Sequence, residues 1–570
     1  MQKKVSDIFN NNIFTIPNYQ RDYAWGQKEF EDLWEDLVEF ERIKNDKMGH
    51  FLGTIVVAPN SANSNIYDII DGQQRATTIF MLRYALNFKK EKPERNINYF
   101  FDDNDKPRLI VNDDNREIFE DILSCFKSNQ LNSELKVKLK TKGQKNLYEV
   151  AQSILNYISN IDNNRATSLL SAVDSMILMW LEEKDSGRAI RLFQTVNDRG
   201  VPLLLLDKLK ALLILYSNKY CNGKLDNIIN ERFGEIFKIS TQIQLHPSAS
   251  SIADRDFQKN VEMRIFNYHS LGNKDIGHYS YGAEESFKKI KILLKNKVSK
   301  NEDIEKWLDD YSGDLVNFFK SFLEILKMSD NNIQVFQLLY ILKINPYFYS
   351  SLVRLKMNNI LDDEILRLFA QAEIFFYGFG STNDATVYRL YEYTSSREQF
   401  INEIKNSIKK CNKGGIKDVV QALEEIYIDN YNRGKYFHYL FFMYRCQKMT
   451  MFMYKEVLNS KKYSYTIEHI IPQNASENGS FEQYGFTDLD NFNFLKNSFG
   501  NLLVLEPELN SSNKDNGLVI KQENYKKSKI IYNQEFASLE NFLEFNKTKI
   551  EEENKKFVEW SKVFFSDFLD

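Results

Sequence analysis

The sequence lacks the features on which several large classes of protein depend. Its four cysteines are far apart and form no Cys-x-x-Cys pair, which disfavours a disulfide framework and a cysteine-built zinc site. No stretch approaches the roughly 18 apolar residues that a membrane span requires, and the N-terminus has no apolar signal segment. We therefore expect a protein of the reducing cytoplasm without a membrane partner.

Neither sign of charge is in excess, and histidine is scarce. The 75 basic residues nearly balance the 79 acidic ones over 570 residues, so any surface that binds nucleic acid must be local. At roughly 100 to 200 residues per domain, this length predicts about three to four domains. The six candidate imidazole bases are His50, His246, His269, His278, His438 and His469.

Hydrophobic periodicity predicts a multi-domain, mainly α chain with smaller α+β parts. Residues 28–43 carry apolar side chains at helical spacing, with an acidic outer face. Two β-type runs, 51–58 and 66–70, flank a polar segment and are predicted to pair as strands. Helical patterns such as 303–328 and 333–342 continue through the middle of the chain, where no motif indicates chemistry.

A helix is predicted to begin directly after a strand at Asp71-Gly72-Gln73-Gln74-Arg75. Asp71 and Gln74 stand three residues apart, as in a capping box. The glycine lets the backbone approach a ligand, the first helical turn offers free N–H groups, and Arg75 adds a bidentate cation. These features favour an anion site. The alternative is that Asp71 caps the helix and Arg75 pairs with the acidic helix before it.

Two further polar loops have both a structural and a functional interpretation. Residues 16–25 place an arginine and a carboxylate among aromatic residues, a composition that can stack a base and contact phosphate. A loop that anchors its aromatics in the core is an equally good interpretation. Residues 197–200 follow a helical pattern and end in glycine, which is typical of an ordinary helix C-cap.

His469 is preceded by an acid within a β-type run, Tyr465 to Pro472. Neighbouring side chains of a strand point to opposite faces, so Glu468 can face a metal while His469 faces a water molecule if the strand bends. Asparagines follow at 501, 510 and 513, and carboxylate and amide oxygens suit Mg²⁺ or Mn²⁺. A histidine base beside such an ion is chemistry for phosphodiester hydrolysis. Taken alone, one histidine on an apolar strand is more often a core or surface residue.

Taken together, these motifs resemble the GmrSD-type restriction proteins. Over roughly residues 1–220, segments 16–21 and 70–75, with Phe193, Asn197 and Gly200, are similar to the N-terminal domain of that family, which is related to the ParB/sulfiredoxin fold. Segments 468–473 and 500–502, with Asn510, resemble its C-terminal HNH nuclease module, a ββα-metal fold. Both sets occur in the expected order on one chain, which is more specific than either set alone.

The resemblance implies a role for each matched residue. It implies a nucleoside triphosphate pocket lined by Asp71, Gly72, Gln73, Gln74 and Arg75, with Tyr19, Gln20 and Arg21 as neighbours and Asn197, Arg199 and Gly200 closing over it. In the nuclease module it implies His469 as general base, Asn501 as the residue that orients the base or its loop, Glu468 and Asn510 as metal ligands with Asn513 as a competitor, and Lys521 and Tyr525 as phosphate contacts.

We therefore predict a nucleotide-regulated, metal-dependent DNA endonuclease of a bacterial restriction or anti-phage system. It comprises a nucleotide-binding domain (1–225), a helical connector (226–430) and an HNH domain with flanking helices (431–570). The predicted cofactors are Mg²⁺ or Mn²⁺ and a nucleoside triphosphate, which the first domain binds and hydrolyses. The predicted partner is foreign or modified phage DNA, and the protein is compatible with a homodimer. Two alternatives remain open: an NTP-gated DNA-binding protein with a degenerate HNH module, and a nuclease that acts on RNA.

Overall fold

A computed structural model describes most of the chain. The described residues are 1–17, 20, 22–42, 50–59, 66–89, 100–102, 106–183, 205–254, 256–379, 384–411, 434–450, 453, 466–477 and 479–568. They are mostly helical (69%) with a small mixed sheet, which confirms the predicted mainly helical, multi-domain class.

The chain divides into two compact units. The first comprises residues 1–245, 260–267 and 282–320, and the second comprises 246–259, 268–281 and 321–570. The three-part division drawn from the sequence, with boundaries after 225 and 430, stays a prediction.

A six-stranded mixed sheet lies in the first unit, in the order β1-β6-β3-β4-β2-β5. Its strands are β1 (Gln2–Lys4), β2 (Ile13–Thr15), β3 (Phe51–Pro59), β4 (Ile66–Asp71), β5 (Leu109–Ile110) and β6 (Ile177–Glu182). Strands β3 and β4 pair antiparallel, which confirms the predicted pairing of these two runs, and β2 and β4 pair parallel. Strand β4 therefore lies inside the sheet, between β3 and β2, and its last residue, Asp71, pairs with Val56 of β3.

In the part of the chain that the structure describes, seven helices lie between β1 and β6. They are α1 (Val5–Asn11), α2 (Gln27–Arg42), α3 (Gln73–Lys89), α4 (Asp113–Lys127), α5 (Ser133–Lys138), α6 (Lys142–Ser159) and α7 (Asn163–Ser175). Helix α2 buries Phe30, Leu33, Trp34 and Leu37, which confirms the predicted amphipathic helix. Helix α3 is buried on almost every side, because it packs against α4, α6 and α7. This central helix begins at the predicted anion site.

Helices account for most of the middle of the chain. Their ranges are Leu205–Cys221, Asp226–Leu245, Val261–Leu271, Ala283–Ser299, Ile304–Met328, Ile333–Phe336, Tyr349–Met357, Asp363–Glu373, Asp384–Arg389, Arg397–Cys411 and Gly434–Arg445. Among the helices that the structure describes, none combines the length and the apolar character needed to cross a membrane.

The end of the second unit contains a two-stranded antiparallel sheet followed by helices. Strands β7 (Thr466–His469) and β8 (Leu502–Leu505) pair so that Glu468 lies opposite Leu503 and His469 opposite Leu502. The helices are Leu489–Leu495, Pro507–Asn513, Leu518–Lys527, Ile531–Ala537 and Lys547–Phe564. The order strand, strand, helix thus brings β7, β8 and Pro507–Asn513 together around the second predicted site, because the first turn of that helix follows β8 directly.

Candidate functional sites

The turn between β4 and α3 depends on a glycine. Asp71 is the last residue of β4, α3 begins at Gln73, and Gly72 between them has a φ of +87°. A Cβ atom at this position would lie 2.8 Å from the carbonyl oxygen of Thr54 in β3. Both the left-handed conformation and the close approach of two backbones therefore require glycine here.

The Arg75 side chain lies against β3, close to Asp71. Its Nη1 donates to the carbonyl oxygen of Thr54 at 3.0 Å. Gly53 has a φ of +115°, and a Cβ there would lie only 2.7 Å from the Arg75 Cζ. Burial lowers the pKa of Arg75, while the charge of Asp71 opposes this shift. A half-buried guanidinium thus lies in the first turn of α3, where an anion would be attracted to it.

Two glutamines attach the preceding loop to this turn. The Gln20 Nε2 donates to the carbonyl oxygen of Ile70 in β4 at 3.0 Å. The Gln74 Oε1 accepts from the backbone N–H of Ala24 at 2.7 Å, and its Nε2 donates to the carbonyl oxygen of Asp22 at 3.2 Å. Gln74 thus anchors the loop to the first turn of α3.

Asp22 connects the same loop to two more helices. One of its carboxylate oxygens, Oδ1, accepts from the Asn115 side chain in α4, and Oδ2 accepts from the Gly143 N–H in the first turn of α6 at 3.0 Å. A Cβ at Gly143 would lie 2.0 Å from Oδ1. Asp22 therefore occupies the N-terminus of α6, where a carboxylate is stabilised by the helix dipole.

The structure thus places the predicted residues Gln20 and 71–75 together where β4 meets α3. Gln73 and Gln74 are each only 7% exposed, and Gln73 lies in the first turn of the helix. Tyr19, Arg21, Asn197, Arg199 and Gly200 lie outside the described residues.

In the second site, the adjacent residues Glu468 and His469 of β7 differ in burial, as expected when neighbouring side chains of a strand point to opposite faces. Glu468 is 3% exposed, whereas His469 at the end of the strand is partly exposed. The His469 Nε2 lies 3.0 Å from the Asn497 Oδ1 and 2.9 Å from the Gln473 Nε2. No role was predicted from the sequence for Asn497 or Gln473. Gln473 is the last residue of the matched segment 468–473, and the only signal of Asn497 is its position just before the matched segment 500–502.

Asn501 holds the chain that follows His469. Its Oδ1 accepts from the Ile471 N–H at 2.8 Å, and its Nδ2 donates to the carbonyl oxygens of Ile471 at 3.2 Å and Lys496 at 2.7 Å. The residue is fully buried, so these backbone groups are its partners in place of solvent. This is the geometry expected of a side chain that fixes the loop beside a histidine.

Glu468 lies at the centre of a buried polar network. Its Oε1 accepts from Asn513 Nδ2 at 3.1 Å and from the Tyr525 hydroxyl at 2.9 Å, and the Lys521 Nζ lies 2.9 Å away. Lys521 also donates to the carbonyl oxygen of His469. Burial lowers the pKa of Lys521, opposed by Glu468. Burial and the charge of Glu468 both raise the pKa of Tyr525.

This network changes the interpretation of several predicted residues. Lys521 and Tyr525 are both 0% exposed, which disagrees with their predicted contact with phosphate, because a fully buried group is out of reach of a DNA backbone. Of the two asparagines, Asn513 bonds to Glu468, whereas the Asn510 Nδ2 donates to the carbonyl oxygen of Ile467 at 3.2 Å. The described contacts therefore bring Asn513, the competitor, to the carboxylate.

Two protein-family models match the chain. The one described as "GmrSD restriction endonuclease, N-terminal domain" matches residues 5–214, and the one described as "GmrSD restriction endonucleases, C-terminal domain" matches residues 418–560. The chain belongs to the GmrSD restriction endonuclease family. An uncharacterised protein of Methanocaldococcus jannaschii is 23% identical over 406 residues, covering 58% of this chain and 67% of that protein.

Membership of the GmrSD family indicates a restriction nuclease of a defence system, with DNA as its substrate. Both candidate sites fall within the matched GmrSD domains, the first at the β4–α3 turn and the second around β7 and β8.

Sequence reasoning missed several residues that shape the first site in this GmrSD protein. Gly53 interrupts a strand, and a glycine inside a strand often marks the close approach of another group, so its signal was available. Asp22 lies within the segment 16–25, and no individual role was predicted for it. Asn115 and Gly143 gave no local signal, because they contact Asp22 across 93 and 121 residues of chain.

Substituting Gly72 by alanine is expected to destabilise the GmrSD N-terminal unit by about 1–3 kcal/mol, because a residue with a side chain is strained at positive φ. The new Cβ would also press on the Thr54 carbonyl. Hydrogen exchange of the peptide spanning β4 and the start of α3 measures the effect. Gly282→Ala is the control, since a Cβ there meets nothing within 4 Å. Equal exchange in both variants would contradict the prediction.

Proposed function

We propose that this protein is a nucleotide-regulated DNA endonuclease in which His469 is the general base of an HNH-type nuclease module. The observation that carries the proposal is the arrangement of β7, β8 and the helix Pro507–Asn513, with a partly exposed histidine at the end of the first strand. Asn501 supports it, because its amide is bonded to the backbone of the loop that follows the histidine.

The proposed reaction is hydrolysis of a phosphodiester. The His469 imidazole accepts a proton from water, the water oxygen forms a bond to phosphorus, and the bond from phosphorus to the leaving oxygen breaks. The leaving oxygen then takes up a proton. General base catalysis of this kind contributes roughly 100- to 10,000-fold to the rate.

Dependence of cleavage on a divalent metal is part of the proposal, and the cleavage experiment below tests it. The predicted ligands supply carboxylate and amide oxygens, which Mg²⁺ and Mn²⁺ favour. However, the Glu468 Oε1 already receives three donors, and one of them is the Lys521 ammonium group. Among the described residues, no group of three or more His, Cys, Asp or Glu side chains is arranged to hold a metal. The residues therefore do not fit an ion bound through the Glu468 Oε1.

We further propose that the ParB/sulfiredoxin-like N-terminal domain binds and hydrolyses a nucleoside triphosphate at the β4–α3 turn. The support is a half-buried arginine in the first turn of a helix, with glycines at 53 and 72 that permit close backbone approach. Oriented backbone N–H groups and a guanidinium suit phosphate oxygens. Regulation of cleavage by this nucleotide is part of the proposal.

The experiment compares wild type with His469→Ala on plasmid DNA and on modified phage DNA, with Mg²⁺ or Mn²⁺ and with several nucleoside triphosphates. We expect the variant to lose at least about 100-fold in cleavage rate and to keep nucleotide hydrolysis. His278→Ala is the matched control, because its ring contacts are with tyrosines far from β7 in sequence. Undiminished cleavage by His469→Ala would overturn the assignment of the base.

A second candidate is an NTP-gated DNA-binding protein with a degenerate nuclease module. The burial of Glu468 in an ion pair with Lys521 favours it, since this carboxylate was the first predicted metal ligand. It predicts nucleotide-dependent DNA binding without strand scission, lost in Arg75→Ala and unchanged in His469→Ala. An RNA substrate in the same assay tests the remaining alternative, because degradation of RNA alone would identify an RNA nuclease.

A further inference from the structure

We infer that Asn497 and Gln473 are positioning residues for His469, and that they restrain its ring whichever of its nitrogens carries the proton. The inference rests on the proposed role of His469 as the base. It adds two side chains that neither the motif resemblance nor the family match assigns. It also gives a function to the polar segment between β7 and β8.

The three polar groups form a closed triangle. The His469 Nε2 lies 3.0 Å from the Asn497 Oδ1 and 2.9 Å from the Gln473 Nε2, and the two amides are 3.2 Å apart. Gln473 begins a 3-10 turn just after β7, and Asn497 follows the helix Leu489–Leu495. The ring is therefore contacted by one residue near the start and one near the end of the polar segment between β7 and β8.

The chemistry of the two amides determines what each can do. An amide oxygen only accepts a hydrogen bond, and an amide nitrogen only donates. If Nε2 carries the proton, it donates to the Asn497 oxygen, and Gln473 donates to the same oxygen. If the proton is on Nδ1 instead, Nε2 accepts from Gln473. The pair can therefore hold the ring in either tautomer, whereas a carboxylate partner would favour one.

Asn497 stands on a loop that is itself held in place. The carbonyl oxygen of Lys496 accepts from the Asn501 Nδ2 at 2.7 Å, and the Ser498 Oγ accepts from the Asn554 Nδ2 at 3.0 Å. Both neighbours of Asn497 are thus bonded to buried or half-buried side chains. Hydrogen bonds that fix the neighbouring residues in this way hold a side chain within the small positional tolerance that catalysis requires.

The test uses Asn497→Leu, which has a similar size but no polar atoms, and measures single-turnover cleavage at saturating DNA separately from DNA affinity. We expect the cleavage rate to fall roughly 10- to 100-fold while the dissociation constant for DNA changes less than about 2-fold, because orientation acts on the chemical step. Asn497→Asp keeps an acceptor oxygen and is expected to recover part of the rate. Asn493→Leu, at an exposed position in the helix Leu489–Leu495, is the matched control.

A second readout does not need activity. The sequence has six histidines, so ¹⁵N-labelled histidine gives few ring signals, and His469→Ala identifies the one from His469. Removing the Asn497 oxygen is expected to shift the Nε2 signal of His469 and leave the other five rings unchanged. Gln473→Leu, at an exposed position, repeats the test with a variant whose folding is not in question.

The outcomes separate this inference from the proposed function. A wild-type cleavage rate and an unshifted His469 signal in both variants would overturn the positioning role. Undiminished cleavage by His469→Ala would instead overturn the proposed base, whatever the ring signals show. Loss of cleavage in Asn497→Leu together with loss of DNA affinity would also contradict the inference, because a residue that orients the base acts on the rate.

Discussion

Replacing Lys521 by alanine is expected to lower the local free energy of unfolding around β7 by about 3–5 kcal/mol, because removing one partner of a buried ion pair leaves the other charge uncompensated. Lys521 is 0% exposed, its Nζ lies 2.9 Å from the Glu468 Oε1, and it also donates to the backbone of His469. Hydrogen exchange of the peptides that carry β7 and β8, followed over a urea series on the full chain, measures this loss.

Lys527→Ala is the control for this prediction, since Lys527 is an exposed lysine at the end of the same helix. The double variant Lys521→Met with Glu468→Gln removes both charges, and we expect it to recover much of the lost stability. A Lys521→Ala protein within about 0.5 kcal/mol of wild type would show that Glu468 does not depend on this cation.

We also expect Lys521→Ala to reduce DNA cleavage. The ammonium group is bonded to the carbonyl oxygen of His469, so its loss frees the backbone that carries the proposed base. The effect reaches cleavage through the position of His469, since Lys521 itself is buried. Nucleotide hydrolysis, proposed for the first unit, is expected to remain at the wild-type level.

The parts of both sites that depend on local periodicity could be predicted from the sequence. Two β-type runs on either side of a polar segment predicted the pairing of β3 with β4, and strand geometry predicted that Glu468 and His469 point to opposite faces. The turn at Gly72 was readable too, because a glycine between a strand pattern and a helix pattern has few other interpretations. In each case the informative residues lie within a few positions of one another.

Contacts between distant parts of the chain were beyond such reasoning. Lys521 reaches the His469 backbone across 52 residues, and Asn497 reaches its ring across 28. A lysine in a polar helix looks the same in the sequence whether it faces solvent or a buried carboxylate. Only the packing of the helix Leu518–Lys527 decides which. For the same reason the sequence left the choice between Asn510 and Asn513 open, whereas the structure brings the Asn513 Nδ2 to the Glu468 Oε1.

The second large effect is expected from Gly500→Ala, which should reduce DNA cleavage at least about 100-fold, because a displacement of about 1 Å near the reacting groups has this cost. A Cβ at this position would lie 2.0 Å from the carbonyl oxygen of Ile550, in the backbone of the helix Lys547–Phe564. That helix also binds the loop directly, since the Asn554 Oδ1 accepts from the Gly500 N–H at 2.6 Å. A backbone atom cannot move aside as a flexible side chain does, so the loop must shift.

The shift would act on both asparagines that hold the histidine, because Asn497 and Asn501 flank Gly500 on one short loop. Single-turnover cleavage measures the effect, with nucleotide hydrolysis as an internal check that the first unit is intact. Gly517→Ala is the matched control, since a Cβ there meets nothing within 4 Å. If Gly500→Ala cleaved DNA as fast as Gly517→Ala, the position of His469 would not depend on this loop. That result would contradict the positioning roles of Asn497 and Asn501.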